Sequence, residues 1–270
     1  MTATALRCRP ARHQISAVLT IAQRDVTKLR RDRLRLAVNL MFPVVMMVGL
    51  GNLLAPTVGR VYGLDTVTLA FTGVLAATIF QSAAAGMISL VEDRELDFAR
   101  ELFVAPVSRL VLMSGKVLGE TAVALCQGVC IALAALLFGV NIGFHQLMLI
   151  MAPCVACALL GASFGLATVA ALPNQRSAMQ VFQFLIVPQY VLSGVVVPLR
   201  GVAGWLNALG WAMPMRYAVE LTRAAFYVGT PGYGEVVTLG PTGDLAVMVP
   251  LFVLFLLGGE RLWEYRERSR

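Results

Sequence analysis

Thr66 to Val91, TVTLAFTGVLAATIFQSAAAGMISLV, holds no Asp, Glu, Lys, Arg or His, and it ends abruptly at Glu92-Asp93-Arg94-Glu95. As a helix rising about 1.5 Å per residue it would measure about 39 Å, more than the roughly 30 Å hydrocarbon core of a bilayer. Residues 36–55, 146–172, 178–198 and 245–259 repeat the pattern, as does 117–140 apart from Glu120, with Pro43 placed to kink the first. The last run is short; it borrows from Gly240–Asp244 and lets Arg261 and Trp263 reach into the far interface. The 270 residues are 58% hydrophobic and 14% charged, against about 45–50% and about 25% in soluble domains. Mean hydropathy is +0.77. A single water-soluble domain, a disordered chain, collagen and a disulfide scaffold are all excluded. The expected fold is an all-α integral membrane protein with six transmembrane helices. A basic segment 1–35 precedes the six-span domain 36–259, and a tail 260–270 follows it.

Charge sets the topology. The net charge of +7 would raise nucleic acid as a partner in a soluble protein. Here the basic residues flank apolar runs, so anionic headgroups explain them better. Of the 22 Lys and Arg, only Arg60, Arg200, Arg216 and Arg223 fall on the second side of a six-span chain. Both termini are therefore expected in the cytoplasm. The N-terminus is too basic and its first apolar run too long for a cleaved signal peptide. Ile15, Val18, Leu19, Ala22, Val26 and Leu29 recur at helical spacing, with Arg24, Asp25, Lys28 and Arg31 on the other faces. The pattern fits an amphipathic helix in the inner interface, or a cytoplasmic extension of the first span.

Two connections are not ordinary loops. Between the second and third spans, Glu92, Asp93, Arg94, Glu95, Asp97, Arg100 and Glu101 precede or flank Leu96, Ala99, Leu102 and Phe103 at helical spacing, and Pro106 stops the pattern. A solvated loop explains the charge but not the periodic Leu and Phe; a short docking helix explains both. Between the fifth and sixth spans, residues 199–243 are apolar but interrupted by Gly201, Gly204, Gly210 and Pro214. Two short helices broken at Pro214 fit, forming a re-entrant pair in the outer leaflet.

Several chemistries can be weighed against the residues. Gly161-Ala162-Ser163-Phe164-Gly165 matches G-x-S-x-G. A serine hydrolase needs a histidine within hydrogen-bond reach. His13 is cytoplasmic and His145 lies about 27 Å of helix away from Ser163. Gly161 and Gly165 instead make a small-xxx-small packing face. Gly115-Lys116 lacks the rest of a P-loop, so ATP-driven work must come from a partner. Glu120, four residues after Lys116, is the exceptional carboxylate within the spans, read as interfacial or as one member of a proton relay. This scarcity of buried charge weighs against an ion-coupled transporter or a charged channel filter. Cys126, Cys130, Cys154 and Cys157 sit at helical spacing inside spans; packing explains them more simply than a metal.

Asp93-Arg94-Glu95-Leu96-Asp97-Phe98-Ala99-Arg100-Glu101-Leu102-Phe103-Val104-Ala105-Pro106-Val107-Ser108-Arg109, followed by Gly115-Lys116, resembles the coupling segment of the ABC-2 family of export permeases, especially its daunorubicin-resistance type. Leu192-Ser193-Gly194, Pro198, Trp205-Leu206, Pro214, Tyr217 and Arg223 are similar to that family's stretch after the fifth span. The likeness runs from about Arg24 to the C-terminus. Asp97-Phe98-Ala99 and Met213 depart from the family's usual glycine and asparagine. The resemblance implies a permease in a bacterial plasma membrane, paired with a second copy or paralogue. It also implies a separate cytoplasmic ATPase that binds ATP and Mg, with no cofactor, metal or catalytic residue on this chain. The ATPase would be met by Glu92, Arg94, Glu95, Arg100 and Glu101 through polar contacts and by Leu96, Leu102 and Phe103 as anchors. Ser193, Gly194, Pro198, Trp205, Pro214, Tyr217 and Arg223 would form the extracellular re-entrant gate. Cargo would pass between the two copies, along the first, second and fifth spans. An apolar pathway with almost no charge suits drugs or other lipophilic molecules; lipid and polysaccharide export share the fold.

Overall fold

Asp65 starts the decisive helix. Its carboxylate accepts from the backbone N–H groups of Val67 (3.3 Å) and Thr68 (3.2 Å), which have no partner inside the helix. Helix α2 then runs Thr66–Gly86, and every residue from Leu69 to Phe80 is buried. The computed structural model describes residues 23, 27, 33–59, 65–95, 109–196 and 203–268. Within them α1 is Arg33–Leu54, followed by a π-helical Ala55–Gly59. Helix α3 is Ser89–Glu95, α4 Arg109–Leu137, α5 Phe144–Ala170 and α6 Gln175–Leu192. The short α7 (Gly204–Trp211), α8 (Pro214–Phe226) and α9 (Tyr233–Val236) lead into the long α10, Gly240–Arg268. No strand occurs among the described residues.

Helix α2 is the hub, touching α1, α4, α5 and α8, while α5 also packs against α10. In lipid no hydrophobic force drives helices together, so close approach through small residues must do it. A Cβ on Gly161 would fall 2.3 Å from the Phe80 carbonyl oxygen, and one on Gly165 2.3 Å from that of Ala84. Both pairs are spaced four residues apart, so α2 and α5 meet turn for turn. Gly259 of α10 lies close on Leu166 and Ala167 of α5, where a Cβ would fall 2.8 Å from the Leu166 side chain. The outer surface is apolar: Leu137, Phe144, Phe184, Val187 and Leu254 are exposed. Thr66–Glu92, Met113–Leu137, Phe144–Ala170 and Tyr233–Arg266 are long and apolar enough to cross a membrane; Asn39–Leu54 is a shorter apolar helix. Helix α6 has the length but is diluted by Gln180, Gln183 and Gln189.

Several boundaries differ from those read in the sequence. The second span keeps its expected extent, Thr66–Glu92, but carries a turn at Met87–Ile88 where α2 gives way to α3. The third begins at Arg109 rather than Val117, because Arg109–Lys116 forms helix despite its charge. The fifth ends at Leu192 rather than Pro198, since Gly194 adopts φ 67° and turns the chain. The tail is a continuation of α10 to Arg268. The break at Pro214 falls where expected, with Pro214 at the first turn of α8. The N-terminal amphipathic pattern lies outside the described residues apart from Gln23 and Thr27. Both are helical, and the Thr27 hydroxyl donates to the Gln23 carbonyl at 2.7 Å.

Candidate functional site

A cavity of about 740 Å³ opens at the Gly86 end of α2. Helices α1, α2 and α6 wall it, with Gln127 entering from α4. Its polar surface is dominated by amides: Asn39, Gln81, Gln127, Gln175 and Gln183. Phe42, Met179 and Phe182 supply the apolar part, and Glu92 is the charged side chain on the wall. The volume lies in the range of small-molecule sites. The lining of this cavity is polar as well as apolar, and its polar part is mostly uncharged. Amides carry no charge, so a scan for charge passes over them. Gln127 is buried, Gln81 half-buried and Gln183 exposed.

The end wall of this cavity is the break between α2 and α3. Gly86, Ile88, Ser89 and Glu92 all line it. The Ser89 hydroxyl donates to the Gly86 carbonyl at 2.6 Å, closing the turn. Behind Gly86 lies a buried ion pair, Lys116 Nζ to Glu120 Oε1 at 2.6 Å, both on α4. A Cβ on Gly86 would meet the Glu120 carboxylate, so glycine lets this pair sit directly against α2 without displacing the Glu120 side chain. Glu120 is thus buried against protein and paired with Lys116, the lysine it was expected to reach.

The Gly73 end of α2 carries a second polar assembly, which the sequence reading missed. Arg216, Glu220 and Arg223 of α8 and Asp244 of α10 are all buried. Glu120 is therefore not the exceptional buried charge it was expected to be. The Arg223 Nη2 donates to the Val195 carbonyl at 2.8 Å, just beyond the Ser193–Gly194 turn. That carbonyl rests on Gly73, where a Cβ would lie 1.7 Å away. Glu220 accepts from the N–H groups of Thr238 (2.5 Å) and Leu239. Arg216 donates to the Asn207 side chain at 2.8 Å and stacks 3.7 Å over the Trp211 ring. Burial lowers Arg223 to about 10, which leaves it a cation at neutral pH. The signal was available in the spacing: Arg216, Glu220 and Arg223 recur on one face of a helix.

The other expected residues distribute as follows. Ser193, Gly194 and Arg223 line one small cavity with Arg216 and Glu220, while the Tyr217 hydroxyl donates to the Trp211 carbonyl at 2.7 Å. Pro214 is buried and Trp205 exposed. Pro198 lies outside the described residues, as do Leu96, Arg100, Glu101, Leu102 and Phe103. Glu92 is exposed in α3, and the backbones of Arg94 and Glu95 continue that helix. Ser163 is fully buried and donates to the Leu160 carbonyl at 2.9 Å, while His145 is exposed. Cys157 packs α5 on α8 through the Ala218 carbonyl at 3.3 Å. Among the described residues no His, Cys, Asp and Glu cluster could hold a metal ion.

Known proteins resemble this chain in sequence. The chain is 27% identical to Nodulation protein J of Sinorhizobium fredii over 218 residues, 80% of this chain and 82% of that one. It is 24% identical to the putative transport permease ycf38 of Porphyra purpurea over 247 residues, covering 90% and 85% of the two chains. A probable multidrug ABC transporter permease, YbhR of Escherichia coli K12, is 29% identical over 141 residues, 52% of this chain and 38% of that one. Residues 16–227 match the ABC-2 type transporter family across the cavity, the helix break and most of the buried charge cluster. The chain belongs to that family of multi-pass membrane permeases.

Proposed function

We propose that this chain is the membrane subunit of an ATP-driven exporter in a bacterial plasma membrane, powered by a separate ATP-binding cassette subunit. Two such permeases pair, and ATP and Mg bind on the partner ATPase. The six long helices α1, α2, α4, α5, α6 and α10 cross the bilayer with both termini in the cytoplasm. Helix α6 spans despite its glutamines because two of them, Gln175 and Gln183, face the cavity rather than lipid. The observation that carries the reading is a shared segment. Gly86–Glu92 lines the cavity and runs directly into the charged stretch Glu92–Phe103 that docks the ATPase. A pull on that stretch must reshape the cavity. Helices α7 and α8 form the re-entrant outer gate, pinned by Arg223 on the Val195 carbonyl. Cargo is an amphipathic small molecule, a drug or other lipophilic compound, with lipid or polysaccharide export as the alternative.

Pull-down of the tagged chain from its native membrane tests the reading. It should bring down a P-loop ATPase whose hydrolysis rate rises when this chain is present. No ATPase, or one indifferent to the chain, contradicts it.

A further inference from the structure

The walls of the cavity say what kind of cargo fits. Each of the five amide side chains offers both donor and acceptor and no charge. Hydroxyl and amide groups match that surface in either direction of hydrogen bonding. A cation or anion does not: among the described lining residues it would leave water for a wall whose charged member is Glu92, which is exposed. Lys116, on the helix behind Gly86, is paired with Glu120. Phe42 and Met179, each about half exposed, present an apolar surface beside the amides. Amides for a head and an open apolar flank for a tail share one cavity.

We infer that this cavity selects an amphiphile with an uncharged head bearing hydroxyl or amide groups and an apolar tail. The inference rests on the permease reading and narrows its cargo to a headgroup class. Gln127 is the selective residue, because it alone reaches the cavity from α4, buried where water does not compete.

The test uses three photoactivatable probes with the same dodecyl chain, carrying a diazirine next to the head. The heads are N-methylglucamide, trimethylammonium and sulfate. Each is added to the full-length chain, with its ATPase, in phosphatidylcholine nanodiscs, and adducts on Met179 and Phe42 are mapped by mass spectrometry. The glucamide probe should label them about tenfold more than either charged probe, the ratio that a modest difference in headgroup affinity gives. Gln127→Leu should abolish most of that preference, and Gly49→Ala, outside the cavity lining, should leave it intact. Where Gln127→Leu fails to fold, Gln183→Leu at its exposed position serves and should reduce the preference. Equal labelling by all three, preference for a charged head, or a preference indifferent to both glutamine changes overturns the inference. Stimulation of the co-purified ATPase is scored separately, so the permease reading survives or falls on its own measurement.

Discussion

Gly161 and Gly165 govern how closely α5 approaches α2, because the atoms facing them are backbone carbonyls that no rotamer change can move. Gly165→Leu should therefore destabilise the protein by about 1–3 kcal/mol or more through overpacking. Gly49→Ala, where nothing lies within 4 Å, should shift it by no more than about 0.5 kcal/mol. Thermal unfolding in one detergent compares the two, and equal shifts would refute the packing role. At the other end, Glu220→Gln replaces the charged acceptor of two backbone N–H groups. It should cost about 1–3 kcal/mol, read as the same melting shift. Both positions were visible in the sequence to different degrees. Gly161 and Gly165 announced themselves by spacing. Glu220 did not, because polar residues between apolar runs resemble a loop until α8 is seen to be buried on nearly every side.

The element that decides how α2 communicates with its surroundings is the turn at Met87–Ile88, with the Lys116–Glu120 pair behind it. Glu120→Leu leaves the Lys116 ammonium buried without that carboxylate and should cost about 3–5 kcal/mol. Lys116→Met combined with Glu120→Leu should cost much less, since removing both charges of a buried pair is often close to neutral. Urea unfolding of the three proteins measures the coupling; an additive double variant would show that the two groups do not act together. The positions of the long helices were legible because charge-free runs are long and their ends are charged. Their exact limits were less so. Arg109–Lys116 propagates a helix although its charges mark it as connection, and the carboxylate lying against Gly86 comes from another helix, which no local pattern reveals. The amides of the cavity escaped for a related reason: Gln81, Gln127 and Gln183 lie far apart in sequence, on three helices, and converge only on folding.

At the scale of the molecule, α2 joins two polar ends: an open, amide-lined cavity beside Gly86 and a closed charge cluster beside Gly73. That polarity matches a pathway loaded from the side of the ATPase and gated at the other. The topology has its own test. A C-terminal green fluorescent protein fusion should fluoresce and a C-terminal alkaline phosphatase fusion should be inactive, the reverse placing the tail outside. The central claim is that the stretch beginning at Glu92 transmits ATP hydrolysis to the cavity. Its most direct measurement is ATP-dependent uptake of the N-methylglucamide probe into inverted proteoliposomes containing the permease and its ATPase. The unaltered chain should accumulate the probe with ATP. Arg94→Ala with Glu95→Ala, or Phe103→Asp, should abolish accumulation and ATPase co-purification while membrane insertion stays normal. Uptake and co-purification that both survive those substitutions would contradict the account.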